Sequence, residues 1–534
     1  MIIVDPVTLG DATCTRPSPK WVYDGTGTLV EVPPDTLAVS YDPSDLSAAP
    51  FAVVDLEPET NYIRNNTMQG AGPGVMPNLW GPSDRTSLGI SCDPVGVGVE
   101  SGIEFLDLRY SGTATSGATL FLRFEQSGPV PAKADQKWVA SVLLKAVIGD
   151  PSTIQMFVTE RDVAAGSTGI RYYGLSSISS KLDAQSAEYD TVGQTTSSIY
   201  FGLAVYFNAG QAYDFTIRVA LPHLCRDKLP RFPIKTANGA VTRAADVIGP
   251  TAGLIYSNVP MVEPPYDAST TYAKDVLVRD PITHDVYLSL IAANKGKPLT
   301  DEASWNLRGK TNRWAMLDEY NNTQTTNPEE IVIVLSPQSI CEGLYLGNVD
   351  ADEIELVVVD QSEGKVYSEV TSLVTASGSS SYYDWCFRPA DRADYYFTIA
   401  MPPYASALVT VVLRKPGGVA KCGMAVIGLV DDFGPSLYGL SASGKDFSST
   451  TFKFDGTSKT QLRDFAKLMN VDVLIDNGEI DYIQRKLFQL RQRPIVWIGG
   501  PYGATAVFGR YAGFDIVIPG LLKSDMSLQI EGSV

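Results

Sequence analysis

Histidine is scarce in this sequence. The 534 residues include two, His223 and His284. Most hydrolytic, metal and proton-shuttle sites use histidine as a base or as a ligand. We therefore expect no enzymatic activity, no metal site and no cofactor.

Positive charge is also in deficit. The chain has 42 Lys and Arg against 60 Asp and Glu, which gives a formal net charge of −18 at pH 7. A surface that follows a phosphate backbone needs the opposite sign, so nucleic acid is not an expected partner. Binding to anionic membranes is disfavoured for the same reason.

Closely paired cysteines and long apolar runs are absent. No CxxC pair occurs, which excludes a zinc ribbon or finger. No run of eighteen apolar residues predicts a transmembrane helix, and residues 1–16 lack the pattern of a signal peptide. We expect a protein that is made in a host cytoplasm and does not insert into membranes. We also expect buried free thiols at the six cysteines: Cys14, Cys92, Cys225, Cys341, Cys386 and Cys422.

Alternating apolar and polar residues, separated by turn residues, dominate what is present. Leu106, Leu108 and Tyr110 face one way between polar neighbours, and Leu120 and Leu122 repeat the pattern. Period two over several such runs predicts antiparallel strands. Residues 72–226 are therefore expected to form a β-sandwich, for which jelly-roll and lectin-like topologies both stay open.

The predicted fold class is mainly β and multidomain, with antiparallel β-sandwiches, a small β module and a C-terminal α+β domain. The expected domains follow one another along the chain: an extended N-terminal arm with a hairpin (1–71), the first sandwich (72–226), a linker (227–262), a small module (263–309), a second β domain (310–429) and the α+β domain (430–534).

Two helices are predicted in the C-terminal domain from apolar residues at helical spacing. Each follows a pair of residues at capping-box spacing, Ser458 with Gln461 and Asp476 with Glu479. The apolar stripes are Leu462, Phe465, Ala466 and Met469 for the first helix, and Ile480, Ile483, Leu487 and Leu490 for the second.

Residues 263–309 resemble the small chitin-binding modules that occur in chitinases and in many phage tail proteins. The resemblance is carried by Tyr272, Val276, Tyr287, Ser289, Asn294, Gly296, Pro298 and Trp305. It implies sugar stacking by exposed rings, with Tyr272, Tyr287, Trp305 and Trp314 as the candidates. The other interpretation stays open, that these rings form the core of a module with few other large apolar groups.

Several further segments resemble stretches of tailed-phage tail proteins. They are residues 62–71 (YIRNNTMQGA), 242–246 (TRAAD), 311–318 (TNRWAMLD) and 323–328 (TQTTNP). The C-terminal domain, through Trp497-Ile498-Gly499 to Ile530-Glu531-Gly532, also resembles the end of such proteins. Together they imply a structural virion component of the tail tip, baseplate or fibre-attachment region. The implied partners are other copies of the chain, as a trimer or hexamer, other tail proteins, and host surface polysaccharide.

Two alternatives come from other functional classes. One is a virion-associated enzyme that cleaves polysaccharide through a carboxylate pair in residues 72–226. The other is a carbohydrate-binding module without a role in assembly. His223 with Cys225 and the acidic cluster Asp350, Asp352, Glu353 and Glu355 are interpreted as structural, because neither has the partners or spacing of a catalytic or calcium site.

Overall fold

A computed structural model describes residues 1–82, 88–151, 153–164, 166–175, 178–228, 232–375, 391–452, 454 and 457–533. Within these residues the regular structure is almost entirely β-strand, with one α-helix near the C-terminus. The predicted mainly β, multidomain fold class is confirmed. The chain forms two compact units, Cys14–Ile248 and the combination of Met1–Thr13 with Gly249–Val534. Cys386 lies outside the described residues, and the other five cysteines are buried free thiols.

The strands of the first 248 residues fall in both units. Strands β1 (Ile2–Pro6) and β2 (Gly10–Asp11) belong to the unit that contains the C-terminus. The unit Cys14–Ile248 contains β3 (Cys14–Thr15), β4 (Lys20–Tyr23), β5 (Leu29–Val32), β6 (Ala38–Ser40), β7 (Phe51–Val53), β8 (Glu59–Asn61), β9 (Gly81–Pro82), β10 (Ile90–Glu100), β11 (Ile103–Thr113), β12 (Ala118–Arg123), β13 (Val130–Pro131), β14 (Lys137–Ile148), β15 (Ile154–Arg161), β16 (Ser167–Gly174), β17 (Asp183–Asp190), β18 (Ser198–Phe207), β19 (Ala212–Arg226), β20 (Val241–Arg243) and β21 (Val247–Ile248).

The remaining elements follow from Gly253 onward. They are β22 (Gly253–Ser257), β23 (Thr271–Tyr272), β24 (Leu277–Arg279), β25 (Asp285–Ser289), β26 (Asn294–Lys295), β27 (Trp305–Lys310), β28 (Thr325–Ser336), β29 (Gly343–Asp350), β30 (Glu353–Asp360), β31 (Gly364–Ser372), β32 (Val374–Thr375), β33 (Asp391–Arg392), β34 (Tyr395–Thr398), β35 (Leu408–Asp432), β36 (Ser441–Asp446), β37 (Ser449–Phe452), β38 (Ser458–Gln461), β39 (Phe465–Asp476), α1 (Ile480–Gln489), β40 (Ile495–Ile498), β41 (Ala506–Val517) and β42 (Lys523–Gly532).

Two antiparallel sheets form the sandwich of the unit Cys14–Ile248. One sheet has the order β10-β11-β19-β14-β17, and the other has the order β16-β15-β18-β12-β9 with β13 also paired to β18. Their inner faces share one apolar core, to which Leu106 and Phe215 contribute from one sheet and Leu122 and Phe201 from the other. Period-two alternation produces this arrangement because each strand buries every second side chain.

The arm before the sandwich packs on it. The hairpin expected around the turn at residues 24–27 is present as β4 and β5. Leu29, at the start of β5, packs with Ile103 and Leu221 of the sandwich in a separate small core. A segment with little apolar content thus buries its few apolar side chains against a neighbour.

The segment 227–262, expected as a linker, carries three short strands. Strand β20 pairs with β8 and β21 pairs with β3, both within the unit Cys14–Ile248. Strand β22 pairs with β28 in the other unit. Backbone pairing therefore occupies much of a segment whose sequence shows no clear period.

The 25-residue strand β35 organises the unit that contains the C-terminus. Strands β28, β29, β30 and β1 all pair with it, and β1 also pairs with β40. The boundary expected at residue 430 falls inside β35, so one sheet continues from the second β region into the C-terminal region. The chain's first strand thereby joins these two regions.

One of the two predicted C-terminal helices is present. Helix α1 buries Ile483 and Leu487, as its apolar stripe predicts. The helix predicted from Ser458 to Met469 is wrong, because these residues form β38 and the start of β39. Leu462 and Phe465 are exposed and give a helix no buried face, whereas the alternation from Met469 to Ile475 suits a strand between β36 and β42.

A buried ionic cluster ties the two ends of the unit Cys14–Ile248 together. The Asp246 carboxylate accepts hydrogen bonds from Arg16 Nη1 and Lys20 Nζ, both at 2.6 Å, and from the Asp55 backbone N–H at 2.8 Å. The Asp246, Arg16 and Lys20 side chains have no exposed surface. Burial by itself raises the pKa of the Asp246 carboxyl, but the Lys20 charge and these hydrogen bonds hold the pKa below its usual value.

We predict that Asp246→Asn lowers the free energy of unfolding by about 3–5 kcal/mol, because it leaves the buried Arg16 without its anion and the buried Lys20 with Asp55 alone. Urea unfolding measures the change, and Asp214→Asn, which breaks an exposed pair with Arg109, is the matched control. Because the folded pKa is lowered, the stabilisation is present above about pH 4 and is lost as pH falls through the folded pKa. Asp246→Asn should lack that part of the acid dependence, and an equal effect of Asp214→Asn would contradict the prediction.

Candidate functional site

Two of the four predicted sugar-stacking residues form the core of the small module. Trp305 is 2% exposed, and its ring meets those of Tyr266 and Tyr272 edge-on at 5.7 and 5.5 Å between centroids. The Trp305 Nε1–H donates to the Lys297 carbonyl at 3.0 Å. Trp305 and Tyr272 are therefore buried within the module and are not exposed to a sugar.

The other two predicted residues lie apart from each other. Trp314 is buried in the core of the second β region, and the His284 ring stacks on it at 4.2 Å and 6°. His284 lies in the turn between β24 and β25 and is buried, with its Nε2 2.9 Å from Asp11 Oδ2. Tyr287 on β25 is half-buried. The four rings do not make a common surface.

His223 and Cys225 on β19 are structural, as expected. Burial, and then the charge of Arg243, lower the pKa of His223 to about 3. Burial raises the pKa of the Cys225 thiol to about 12. A neutral imidazole beside a protonated thiol is the opposite of an activated nucleophile, which needs a thiolate.

The acidic cluster that begins at Asp350 is paired with cations. Glu353 and Glu355 both bind Arg414 Nη1, at 2.8 and 2.9 Å. Asp350 binds Lys415 at 2.5 Å, and Asp352 binds Arg392 at 2.6 Å. Asp352 lies in the short loop between β29 and β30, and the other three lie on those strands. Among the described residues, no group of His, Cys, Asp or Glu is arranged to hold a metal ion.

An open groove lies on the outer face of the sheet β16-β15-β18-β12. Ala204 of β18 contributes to its lining, at a position between the core residues Leu203 and Val205. A Cβ atom at Gly202 would lie 1.9 Å from the Leu122 carbonyl oxygen, so only glycine fits between β12 and β15. The missing side chain at Gly202 also makes room for the Phe157 ring, whose Cε1 would lie 2.9 Å from that Cβ atom.

Aromatic and polar side chains form the walls of the groove. Tyr172 on β16 and Tyr206 on β18 are 44% and 49% exposed. Gln155 and Thr119 add polar groups beside them, and the groove has a volume of about 600 Å³. This size and mixture of apolar and polar groups are typical of a small-ligand site.

A row of packed rings supports Tyr172. Phe121 meets Phe157 edge-on at 4.9 Å, and it stacks on Tyr172 at 6.2 Å. Phe157 is directly opposite both Tyr172 and Gly202 in the strand register. The support holds the Tyr172 ring in place before any ligand arrives, which reduces the entropy lost on binding.

The arrangement suits a ligand with flat C–H faces and many hydroxyls. A tyrosine ring offers an apolar face and a hydroxyl at its edge, and the Gln and Thr side chains donate and accept hydrogen bonds. The described residues that line the groove include no Asp or Glu. The groove therefore presents no carboxylate pair for glycoside hydrolysis.

This groove was missed at the level of sequence. The signal was present in β18, where the apolar residues Ile199, Phe201 and Leu203 alternate with Tyr200, Gly202 and Ala204. A second face that carries tyrosines and small residues differs from the usual polar outer face.

Comparisons with known proteins give limited information. No protein-family model matches the chain, and no curated protein matches it. A xylan-binding domain from Paenibacillus barcinonensis is similar over 32% of this chain and 94% of its own, at 14% identity and a TM-score of 0.20. A family 11 carbohydrate-binding module of a Clostridium thermocellum cellulase is similar over 31% of this chain and 92% of its own, at 12% identity and a TM-score of 0.20.

An arabinose-bound α-L-arabinofuranosidase is a further similar structure, with 15% identity and a TM-score of 0.25. The similarity spans 33% of this chain and only 27% of the arabinofuranosidase. TM-scores this low do not establish a shared fold.

We predict that Trp305→Ala destabilises the small module by about 3–5 kcal/mol, because it removes the largest ring from a small core. Limited proteolysis of the full chain, with cut sites mapped by mass spectrometry, should show new cleavage within 263–309. Ile282→Ala, at a position of the same module that is 84% exposed, is the control and should leave cleavage nearly unchanged. Unchanged protection in Trp305→Ala together with lost polysaccharide binding would instead identify Trp305 as a sugar platform.

Proposed function

We propose that this protein binds a polysaccharide chain in the groove on the outer face of β18. The observation that carries the proposal is the pair of half-exposed tyrosines, Tyr172 and Tyr206, that line the groove together with the small residue Ala204. Stacking on the tyrosines supplies apolar contact area, and Gln155 and Thr119 supply hydrogen bonds to sugar hydroxyls. An open groove admits internal segments of a long polymer as well as chain ends.

We further propose that the protein is a structural component of a phage tail and that the groove contacts host surface glycans during adsorption. The resemblances of residues 62–71, 242–246, 311–318 and 323–328 to tail proteins support this role. The exposed hairpin formed by β37 and β38 supports this role as well. Every residue of β36, β37 and β38 is exposed, including Phe452 at 78%, and Leu462, which follows β38, is 85% exposed.

Exposed apolar side chains on a thin hairpin are typical of a contact surface. We propose that the hairpin contacts a second copy of the chain, in a trimer or hexamer within the virion tail, beside other tail proteins. Closed cyclic symmetry is the common solution for homo-oligomers.

The first test concerns the groove. Tyr172→Ala and Tyr206→Ala should each weaken polysaccharide binding about three- to tenfold, because each removes one stacking face. Affinity electrophoresis in gels that contain neutral or acidic polysaccharides measures the change. Tyr502→Ala is the matched control, since Tyr502 is an exposed tyrosine outside the unit that carries the groove.

Other outcomes of the same experiment are equally informative. Equal retention of Tyr172→Ala, Tyr206→Ala and the unchanged protein would contradict binding in the groove. Release of new reducing ends from any of the polysaccharides would favour the alternative, a polysaccharide-degrading enzyme that acts through a carboxylate pair elsewhere in residues 72–226.

The second test concerns assembly. Light scattering after size exclusion should give three or six times the chain mass of 57.6 kDa. The double variant Phe452→Ser and Leu462→Ser should shift the protein toward monomer, because it removes apolar area from the contact. Ile282→Ser changes an exposed aliphatic residue elsewhere and should leave the mass unchanged. A monomer for the unchanged protein at micromolar concentration would contradict the structural role.

A further inference from the structure

Two arginines converge on a tyrosine on the same outer face of the sheet as the groove. Tyr200 is on β18, on the same face as Gly202 and Ala204, and by strand geometry it lies about 13 Å from Ala204. The guanidinium carbon of Arg123 is 5.0 Å from the centre of the Tyr200 ring, and that of Arg161 is 6.0 Å from it.

Strand pairing fixes the positions of these three side chains. Arg123 on β12 is opposite Gly202, and Arg161 at the end of β15 is opposite Ser198. Tyr200 lies between those two positions on the central strand. The arginines therefore approach Tyr200 from neighbouring strands on either side of it, and all three side chains are half-buried.

Among the described residues, Arg123 lacks the carboxylate partner that several arginines of this unit have. Its Nη1 donates to Gln126 Oε1 at 3.2 Å, and it makes no ion pair with a described Asp or Glu. By contrast, Arg109 binds Asp214, Arg218 binds Asp107, and Arg64 binds Glu125. Burial, and then the positive charge of Arg161, hold the pKa of Arg123 below its usual value.

Two positive charges held close together favour the binding of an anion between them, even though the chain as a whole has a net charge of −18. A guanidinium matches a carboxylate with two parallel hydrogen bonds, and its plane also packs against aromatic rings. Tyr200 adds an aromatic side chain at the same point. The carboxylate of a ligand can therefore contact the arginines while the sugar ring that carries it contacts Tyr200.

We infer that Arg123, Arg161 and Tyr200 form a subsite for an acidic sugar, so that the groove binds a polysaccharide whose residues carry carboxylates. This inference rests on the proposed polysaccharide binding in the groove. It adds the chemical class of the ligand: a uronic acid residue stacks on or beside Tyr200, its carboxylate bonds to the arginines, and the neighbouring sugars extend toward Tyr172 and Tyr206.

Alginate, hyaluronan and polygalacturonate are the probes, each compared with its carboxyl-reduced form, which keeps the sugar chain but loses the charge. We expect at least one of the three acids to be retained in affinity electrophoresis, with about tenfold weaker retention after carboxyl reduction. Raising the salt concentration should weaken binding of the acid and leave neutral sugars nearly unaffected.

The variants Arg123→Gln and Arg161→Gln should each weaken binding of the acidic polysaccharide about tenfold and leave binding of its reduced form unchanged. Arg123→Lys, which keeps the charge but loses the fork, should retain part of the affinity. Arg109→Gln is the control, because Arg109 is an exposed arginine on the other sheet. Circular dichroism shows whether each variant is folded.

The possible outcomes distinguish this inference from the proposed polysaccharide binding on which it rests. Equal binding of acidic and carboxyl-reduced forms, or neutral polysaccharides bound and acidic ones not, would overturn the acidic subsite while polysaccharide binding in the groove stands. Binding of neither form of any probe nor of any neutral polysaccharide would overturn both. Equal losses in Arg109→Gln and Arg123→Gln would show that overall charge, rather than the subsite, controls binding.

Discussion

The structure depends on one constraint, that a strand which buries one face leaves the other face to be covered or to meet solvent. In β18 the inward residues Phe201 and Leu203 fix the strand against the sandwich core, and this fixes the outward position of Gly202 and Ala204. A shift of register by one residue would exchange the two sets. The groove is therefore specified by the core beneath it.

Contacts between residues far apart in the chain fix parts of the structure that the local sequence does not determine. Asp246 is buried with its charge because Arg16 and Lys20, more than two hundred residues earlier, meet it at hydrogen-bond distance. An isolated buried carboxylate would be costly, so the cluster holds these distant segments in one arrangement. Strand β1 acts similarly in the other unit, since its backbone joins β35 to β40.

Sequence alone predicted the elements whose pattern is both periodic and buried. Alternation at Leu106, Leu108 and Tyr110 gave a strand, and the stripe of Ile483 and Leu487 gave α1. The helix predicted over 458–469 is absent. Helical spacing suggested that all four apolar residues would be buried, but two are exposed, and pairing with β36 and β42 makes the segment from Phe465 a strand.

The rings of the small module are buried because Trp305 and Tyr272 form most of its core. The groove escaped prediction because its walls come from strands that only pairing brings together, such as Tyr172 on β16 beside Phe157 on β15.

Net charge and local charge act at different ranges. The overall charge of −18 weakens long-range attraction of any polyanion, and that effect is screened within about 8 Å at physiological ionic strength. In the proposed subsite, Arg123 and Arg161 attract a ligand carboxylate at hydrogen-bond distance, in a half-buried site where screening by salt is weaker. The expectation from net charge that nucleic acid is not a partner is therefore compatible with the proposed subsite for one carboxylate at a time. A polymer with densely spaced phosphates requires a continuous positive track, whereas a polysaccharide with single carboxylates among neutral hydroxyls requires two arginines and an aromatic groove.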